Sequence, residues 1–369
     1  MQQRLWIEVN LKNLGKNFCL IKKKVGERVK ILGVIKQNAY GHGLIPIAQR
    51  LVQRGVDFLG VGNIEEAYLL EKAKISVPIL LLTSLFPCEI KEIVNLKNTR
   101  PTVMDLDSVS RLDKEAKRKK RIIPVHIKVD TGMGRLGIVY KKAKNFILKI
   151  KKYKNIFLEG IYTHFPSADT EVKFTQFQIE IFNQLINSLK KEGIEFRYIH
   201  CANSIGIIKY PEAHFNLIRA GLILYGVNPS PGKVKIKDIH PVLSLKSRII
   251  FTKELEKGWG ISYNRTFITK KKTKVGVVAC GYADGYPWSL SNKAKVIIKD
   301  HFYPLRGRVC MDYIMVEIKR NISAGEEVVL IGKSKSKSIS CEDLAGWAQT
   351  IPYEILTRLS LKIPRLYKE

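Results

Sequence analysis

Through about residue 225 the chain alternates short apolar runs with amphipathic stretches, and nothing else in it restricts the fold as much. Short apolar runs bounded by turn residues read as strands. They fall at residues 30–36, 58–62, 78–83, 100–105, 123–130, 158–164, 198–203 and 216–219. That makes eight. Helical periodicity fills most of the gaps, at 64–74, 107–118, 141–153 and 174–192. The connection after the seventh run is short, which leaves a full helix there open. Eight strand–helix units in one domain fit a (β/α)8 TIM-type barrel. A doubly wound open sheet is the competing arrangement.

The pattern changes after Tyr225-Gly226-Val227-Asn228-Pro229-Ser230-Pro231-Gly232. Two prolines and two glycines in eight residues read as a linker. Beyond it come short alternating runs at 242–251, 274–279, 295–299, 308–319 and 327–331, separated by turns. The chain of 369 residues divides on this reading into a barrel over residues 1–228 and a mostly-β domain over residues 233–369.

Chemistry-bearing residues collect at one end of the candidate strands. Lys36, Lys128, Asp130, His164, Asn203, Ser204 and Arg219 all lie at or just past C-terminal strand ends. In barrels that rim carries the active site. Lys36 ends the run Ile31-Leu32-Gly33-Val34-Ile35 and is followed by Gln37-Asn38-Ala39-Tyr40-Gly41-His42-Gly43. A desolvated lysine loses its proton readily and can form a Schiff base with a carbonyl. The glycines behind it let backbone N–H groups approach an anion. An aldehyde with a phosphate suggests pyridoxal 5'-phosphate (PLP). Taken alone, Lys36 also fits a strand-end lysine snorkelling to water.

The Lys36 segment resembles the cofactor signature of the alanine racemase family, with Gln37 where the family usually has Ala. Further segments resemble that family in order along the chain. Asp130-Thr131-Gly132-Met133-Gly134-Arg135-Leu136-Gly137 matches the segment whose arginine meets the substrate carboxylate, a role suited to a forked donor. Lys128 matches a lysine carbamylated in some members. His164 matches a residue packed near the PLP ring. Asn203, Ser204 and Gly221 match cofactor-binding positions, and Arg219 one beside the pyridine nitrogen. Arginine keeps its proton, so that nitrogen stays unprotonated, which favours racemisation over transamination. Gly258-Trp259-Gly260-Ile261-Ser262-Tyr263-Asn264-Arg265-Thr266-Phe267 resembles the segment carrying a second catalytic base, Tyr263. Asn264 and Phe267 depart from the common Gly and Trp. Read alone, Tyr263 fits a packing role equally. Racemisation, however, needs an acid/base on each face of the reacting carbon. A phenol needs cationic neighbours to serve near neutral pH, and Arg135 and an Arg219-bonded His164 are the candidates.

Three more segments complete the resemblance. Ala279 to Pro287 looks like an entrance loop, with Trp288 where arginine is common. Gly307 to Asp312 matches the segment whose methionine, Met311, borders the substrate methyl group. Pro352-Tyr353-Glu354 matches one whose tyrosine, Tyr353, borders phosphate beside Tyr40. The resemblance implies a PLP-dependent, two-base interconversion of L- and D-alanine, catalysed by Lys36 and Tyr263, that supplies peptidoglycan. It implies a homodimer with shared sites. A racemase of other small amino acids, a decarboxylase and a PLP-carrying binding protein are the rival readings.

Composition bounds the surroundings. The formal net charge is +31, but the lysine clusters lie between apolar periodic segments without a recognition motif, so no nucleic-acid partner is expected. Six scattered cysteines without a Cys-x-x-Cys pair, and residues 1–8 without a leader-type apolar core, lead to expecting a reducing cytoplasm. No apolar run is long enough to span a bilayer, so no membrane association is expected. No metal site is expected.

Overall fold

The computed structural model describes residues 3–369; Met1 and Gln2, where the range assigned to the barrel begins, lie outside the described residues. All eight expected strands form: Lys30–Val34, Phe58–Val61, Ile79–Leu81, a fourth in two pieces, Ile123–Asp130, Ile156–Tyr162, Tyr198–His200 and Leu217–Ala220. They pair in parallel as two arcs, eight-one-two-three-four and four-five-six-seven. Pro101 splits the fourth strand into Thr99–Arg100 and Thr102–Val103, having no N–H for a ladder. The strand changes partner there. Thr99 pairs with Ile79, Thr102 pairs with His126, and the Pro101 carbonyl accepts from His126 N at 3.1 Å.

The seam between strands seven and eight is held by scattered bonds, several from side chains, instead of a ladder. Arg219 N donates to the Ala202 carbonyl at 3.0 Å, and Ile199 N donates to Asn216 Oδ1 at 2.7 Å. The eight strands thus run in cyclic order around a closed barrel, and the open sheet is excluded. Helices Ile64–Lys72, Leu106–Arg118, Tyr140–Ile150 and Val172–Lys191 lie where periodicity put them. Asn63 and Asp105 cap two of them by accepting from Glu66 N and Ser108 N. The short connection after strand seven holds a six-residue helix, Ser204–Lys209, capped by Asn203. Fully buried aliphatics such as Ile31, Leu59, Ile79, Leu80 and Ile127 fill the strands. Each contributes about 1.5–3 kcal/mol by leaving water.

The second part is a nine-stranded sheet built on the long strand Leu243–Leu255. Here two expectations are corrected. Strand Leu5–Asn10, counted with the barrel, pairs antiparallel with Leu243–Leu255 and parallel with Arg365–Lys368. The range 1–228 therefore begins with a strand of the other sheet, whose partners lie at the far end of the chain. The run at 308–319 is a strand only over Ile314–Ile318. Its first half is a loop, pinned by Ser262 Oγ donating to the Arg308 carbonyl and Tyr282 N donating to that of Cys310. Helices Cys341–Ala348 and Pro352–Thr357 were not anticipated. Among the described residues no helix is long and apolar enough to cross a membrane.

Candidate active site at the barrel mouth

Lys36 leaves strand one into a turn that L-residues rarely adopt. Gln37, Asn38, Ala39 and Tyr40 have φ of 53°, 52°, 53° and 52°, one turn of left-handed helix. Each such residue costs about 1–2 kcal/mol, so the surroundings must impose it. Glu66 does so from the next helix. Its carboxylate accepts from Asn38 N at 2.9 Å and Gly62 N at 3.0 Å. Asn38 Oδ1 accepts from Leu44 N at 2.8 Å. His42 Nδ1 lies 2.9 Å from the carbonyls of Ala39 and Tyr40. Carbonyls only accept, so that nitrogen carries the proton. The turn presents Lys36 half-buried and buries Tyr40. Burial, with Arg135 second, lowers the Lys36 pKa.

One side of the mouth is a hydroxyl cradle. A Cβ on Gly221 would meet Tyr40 Oη at 3.3 Å and Ser204 Oγ at 3.5 Å, so glycine keeps the space between them open. Ser204 Oγ accepts from Gly221 N at 3.2 Å. Tyr353 comes from the second part of the chain, its ring 6.1 Å from that of Tyr40. Burial pushes the Tyr353 hydroxyl up to about 12 and that of Tyr40 higher still, so both remain protonated donors. Asn203 is engaged elsewhere. Its Oδ1 accepts from Gly206 N and its Nδ2 donates to the Phe165 carbonyl. Asn203 thus shapes the cradle as a helix cap.

The opposite side is cationic. Buried Arg219 donates from Nη1 to His200 Nδ1 and the His200 carbonyl, both at 3.0 Å. Its Nη2 faces the Thr163 carbonyl at 2.6 Å, the Cys201 carbonyl at 3.0 Å and His164 Nδ1 at 3.2 Å. The four Nη hydrogens are taken, and Nε–H has no partner among the described residues. Lys128 Nζ lies 5.5 Å from the Tyr162 ring centroid. Burial, then Arg135, Arg219 and Lys36, lower its pKa to about 8. Exposed Arg135 sits on a loop folded around Asp130, whose carboxylate accepts from the N–H groups of Gly132, Met133 and Gly134. His164 does not serve as the expected cation. Burial and the neighbouring Arg219, Arg135 and Lys128 push its pKa well down, so it is neutral.

Tyr263 and Met311 lie outside this mouth. Both are largely exposed on the second part of the chain. They line a separate cleft of about 550 Å³ with Trp259, Cys310 and Tyr313, and none of the mouth residues lines it.

Sequence reading missed Glu66, His126, His200 and Glu159. A signal existed in strand five, where His126, Lys128 and Asp130 alternate with Val125, Ile127 and Val129. Period-two spacing puts those polar residues on one face.

The mouth offers a lysine inclined to be neutral, a cradle for an anion and an unpaired guanidinium N–H. These fit PLP. Comparison with known proteins agrees on the family. Residues 9–229 match the family model described as alanine racemase, N-terminal domain, and residues 242–367 match alanine racemase, C-terminal domain. An alanine racemase of Halothermothrix orenii is 40% identical over 366 residues, 98% of this chain and 96% of that one. The structure of alanine racemase from Clostridium difficile 630 superposes with a TM-score of 0.94 at 34% identity, over 100% of this chain and 97% of that one. That from a D-cycloserine-producing Streptomyces lavendulae gives 0.94 at 29% identity, over 100% and 98%. With both halves matched and the barrel mouth so equipped, the chain belongs to the alanine racemase family.

Proposed function

We propose that the chain interconverts L- and D-alanine with PLP as cofactor, in the cytoplasm, supplying D-alanine for peptidoglycan. The observation that carries this is the distribution of unused groups at the mouth. Lys36 would hold the cofactor. Tyr40 and Ser204 would donate to phosphate beside Gly221, with Tyr353 bordering them and Asn203 fixing the local backbone. His164 would lie near the ring and Arg219 Nε–H would face the ring nitrogen. Bound there, PLP draws electrons from the Cα–H bond of the amino acid joined to it, which makes that proton removable.

The chain's own residues do the rest. Arg135 pairs with the substrate carboxylate. Lys36, with its pKa lowered by burial and Arg135, exchanges a proton with Cα on one face, the D-alanine side by family analogy. Tyr263 of the partner subunit serves the opposite face, with Met311 of the partner subunit bordering the methyl group. The homodimer is supported by an exposed patch. Trp259, Tyr263, Tyr282, Trp288, Met311 and Tyr313 are all more than two-fifths exposed. Their loops are tied together by Tyr282 N and Ala283 N donating to the Cys310 and Met311 carbonyls. Exposed aromatic clusters of this kind mark interfaces.

Racemisation in deuterium oxide, begun separately from each enantiomer, tests the two-base reading. Lys36→Ala is expected to abolish turnover, and Tyr263→Phe to slow it severely, most at the step taken from L-alanine. Full activity of Tyr263→Phe in both directions refutes the second base. Absence of lysine-linked PLP absorbance after adding the cofactor refutes the whole reading.

A further inference from the structure

Arg219 begins a buried line of polar groups that runs away from the mouth through the barrel interior. His200 Nε2 lies 2.9 Å from His126 Nδ1, and His126 Nε2 lies 3.4 Å from Glu159 Oε2. The same carboxylate oxygen accepts from Arg100 Nε at 3.2 Å. His126 and His200 have no solvent exposure and Glu159 has 4%.

The strands are shaped to make this line. The register between strands five and six slips, so that Val125 faces Leu158 while His126 faces Gly160. Glu159 is the extra residue, and such bulges re-aim side chains. Gly160 supplies the room. A Cβ there would lie 2.5 Å from the His126 ring. Tyr162 stacks on His200 at 4.8 Å and 12°, and its ring also lies 5.2 Å from Arg219 Cζ.

The two ends dictate where every proton sits. Arginine can only donate, so His200 Nδ1 is a lone pair. A neutral imidazole then carries its proton on Nε2 and donates it to His126 Nδ1. His126 in turn carries its proton on Nε2, which faces the ionised Glu159 at 3.4 Å, an ion-pair contact looser than the other links of the line. Burial holds both imidazoles neutral, assisted at His200 by Arg219. Burial raises the Glu159 pKa, but His126 and Arg100 outweigh it and keep the carboxylate ionised. Any other order sets two N–H groups against each other, at full desolvation cost.

We infer that Glu159 and His126 are positioning residues, which keep an acceptor before His200 Nε2–H, so that His200 stays the neutral acceptor holding Arg219 with Nε–H free at the cofactor's ring nitrogen. The inference rests on the function proposed above for its purpose, while the proton order itself belongs to the protein alone.

The test uses full-length protein with its seven histidines isotope-labelled at the ring nitrogens, with and without added PLP. Nuclear magnetic resonance is expected to show His126 and His200 neutral, with the proton on Nε2, throughout the pH range where free histidine titrates. Glu159→Gln keeps an acceptor but loses the charge. It is expected to shift the His200 Nε2–H signal, although the carboxylate touches only His126 and Arg100. Loaded with PLP, this variant is expected to lose about tenfold in kcat with KM for alanine unchanged. It should also produce more pyruvate per racemisation event.

A proton on His200 Nδ1, a doubly protonated His200, or a His200 signal unmoved by Glu159→Gln overturns the inference. If Glu159→Gln fails to fold, His126→Asn, read by the same His200 signal, makes the same test. Failure of the racemase reading looks different: the wild type would then neither retain PLP nor racemise alanine, whatever its histidine signals.

Discussion

Lys128 is a buried cation with Arg135, Arg219 and Lys36 for neighbours, and its pKa of about 8 measures the discomfort. An unfolded chain holds that proton up to about 10.4. Between those values the unfolded state binds more protons, so stability rises as pH rises from about 8 towards 10.4. Below about 8 the penalty is complete. Lys128→Met is therefore expected to raise stability near neutral pH by an order of 1–3 kcal/mol, an advantage that shrinks in alkaline buffer. Melting temperature against pH for both proteins reads this directly. The family resemblance implies a further step at this residue, carbamylation, for which a neutral amine is the reactive form. The resulting anion beside Arg135 and Arg219 would cancel the penalty. Added bicarbonate at fixed pH should then raise the melting temperature of the wild type and leave Lys128→Met unmoved. Equal responses would exclude the modification.

Among elements, the left-handed turn after strand one has the largest conformational cost and the most direct influence on Lys36. Two backbone N–H groups, of Asn38 and Gly62, depend on one carboxylate, Glu66. Glu66→Ala leaves both unpaired and is expected to cost about 1–3 kcal/mol for each that stays buried. Glu66→Gln is expected to cost nearly as much, because its NH2 group confronts one of the two donors. Urea unfolding measures both, and a Gln variant as stable as wild type would show that the turn holds itself. In Gln37-Asn38-Ala39-Tyr40 only Asn38 is of a type that adopts positive φ readily, so a whole left-handed turn is not announced. The barrel strands were legible because each is a local apolar run between turn residues. Strand Leu5–Asn10 was misassigned because its partners come from residues 243–247 and 365–368, a choice that local pattern cannot express. The lysine, tyrosine and arginines of the mouth were visible at strand ends. Glu159 was hidden, because only the bulge turns it inward.

At the scale of the whole molecule, one chain supplies a barrel mouth with Lys36 and, elsewhere, a cleft with Tyr263. If each site takes Lys36 from one subunit and Tyr263 from its partner, the two residues can be supplied by different mutant chains. Lys36→Ala and Tyr263→Phe should each be nearly inactive alone. In a twofold dimer formed from both, one site carries both substitutions and is dead, while the other combines an unaltered Lys36 with an unaltered Tyr263 and is intact. Equal amounts of the two chains, unfolded and refolded together, form about half mixed dimers, each with one working site of two. About one quarter of wild-type activity should therefore return. Refolding the chains separately and then mixing them should return little until subunits exchange, and the recovery should track that exchange. Were both residues to act within one chain, no mixture could restore activity, because every chain would lack one base. The amount recovered on co-refolding thus decides whether the exposed face around Tyr263 completes a neighbour's barrel or serves its own.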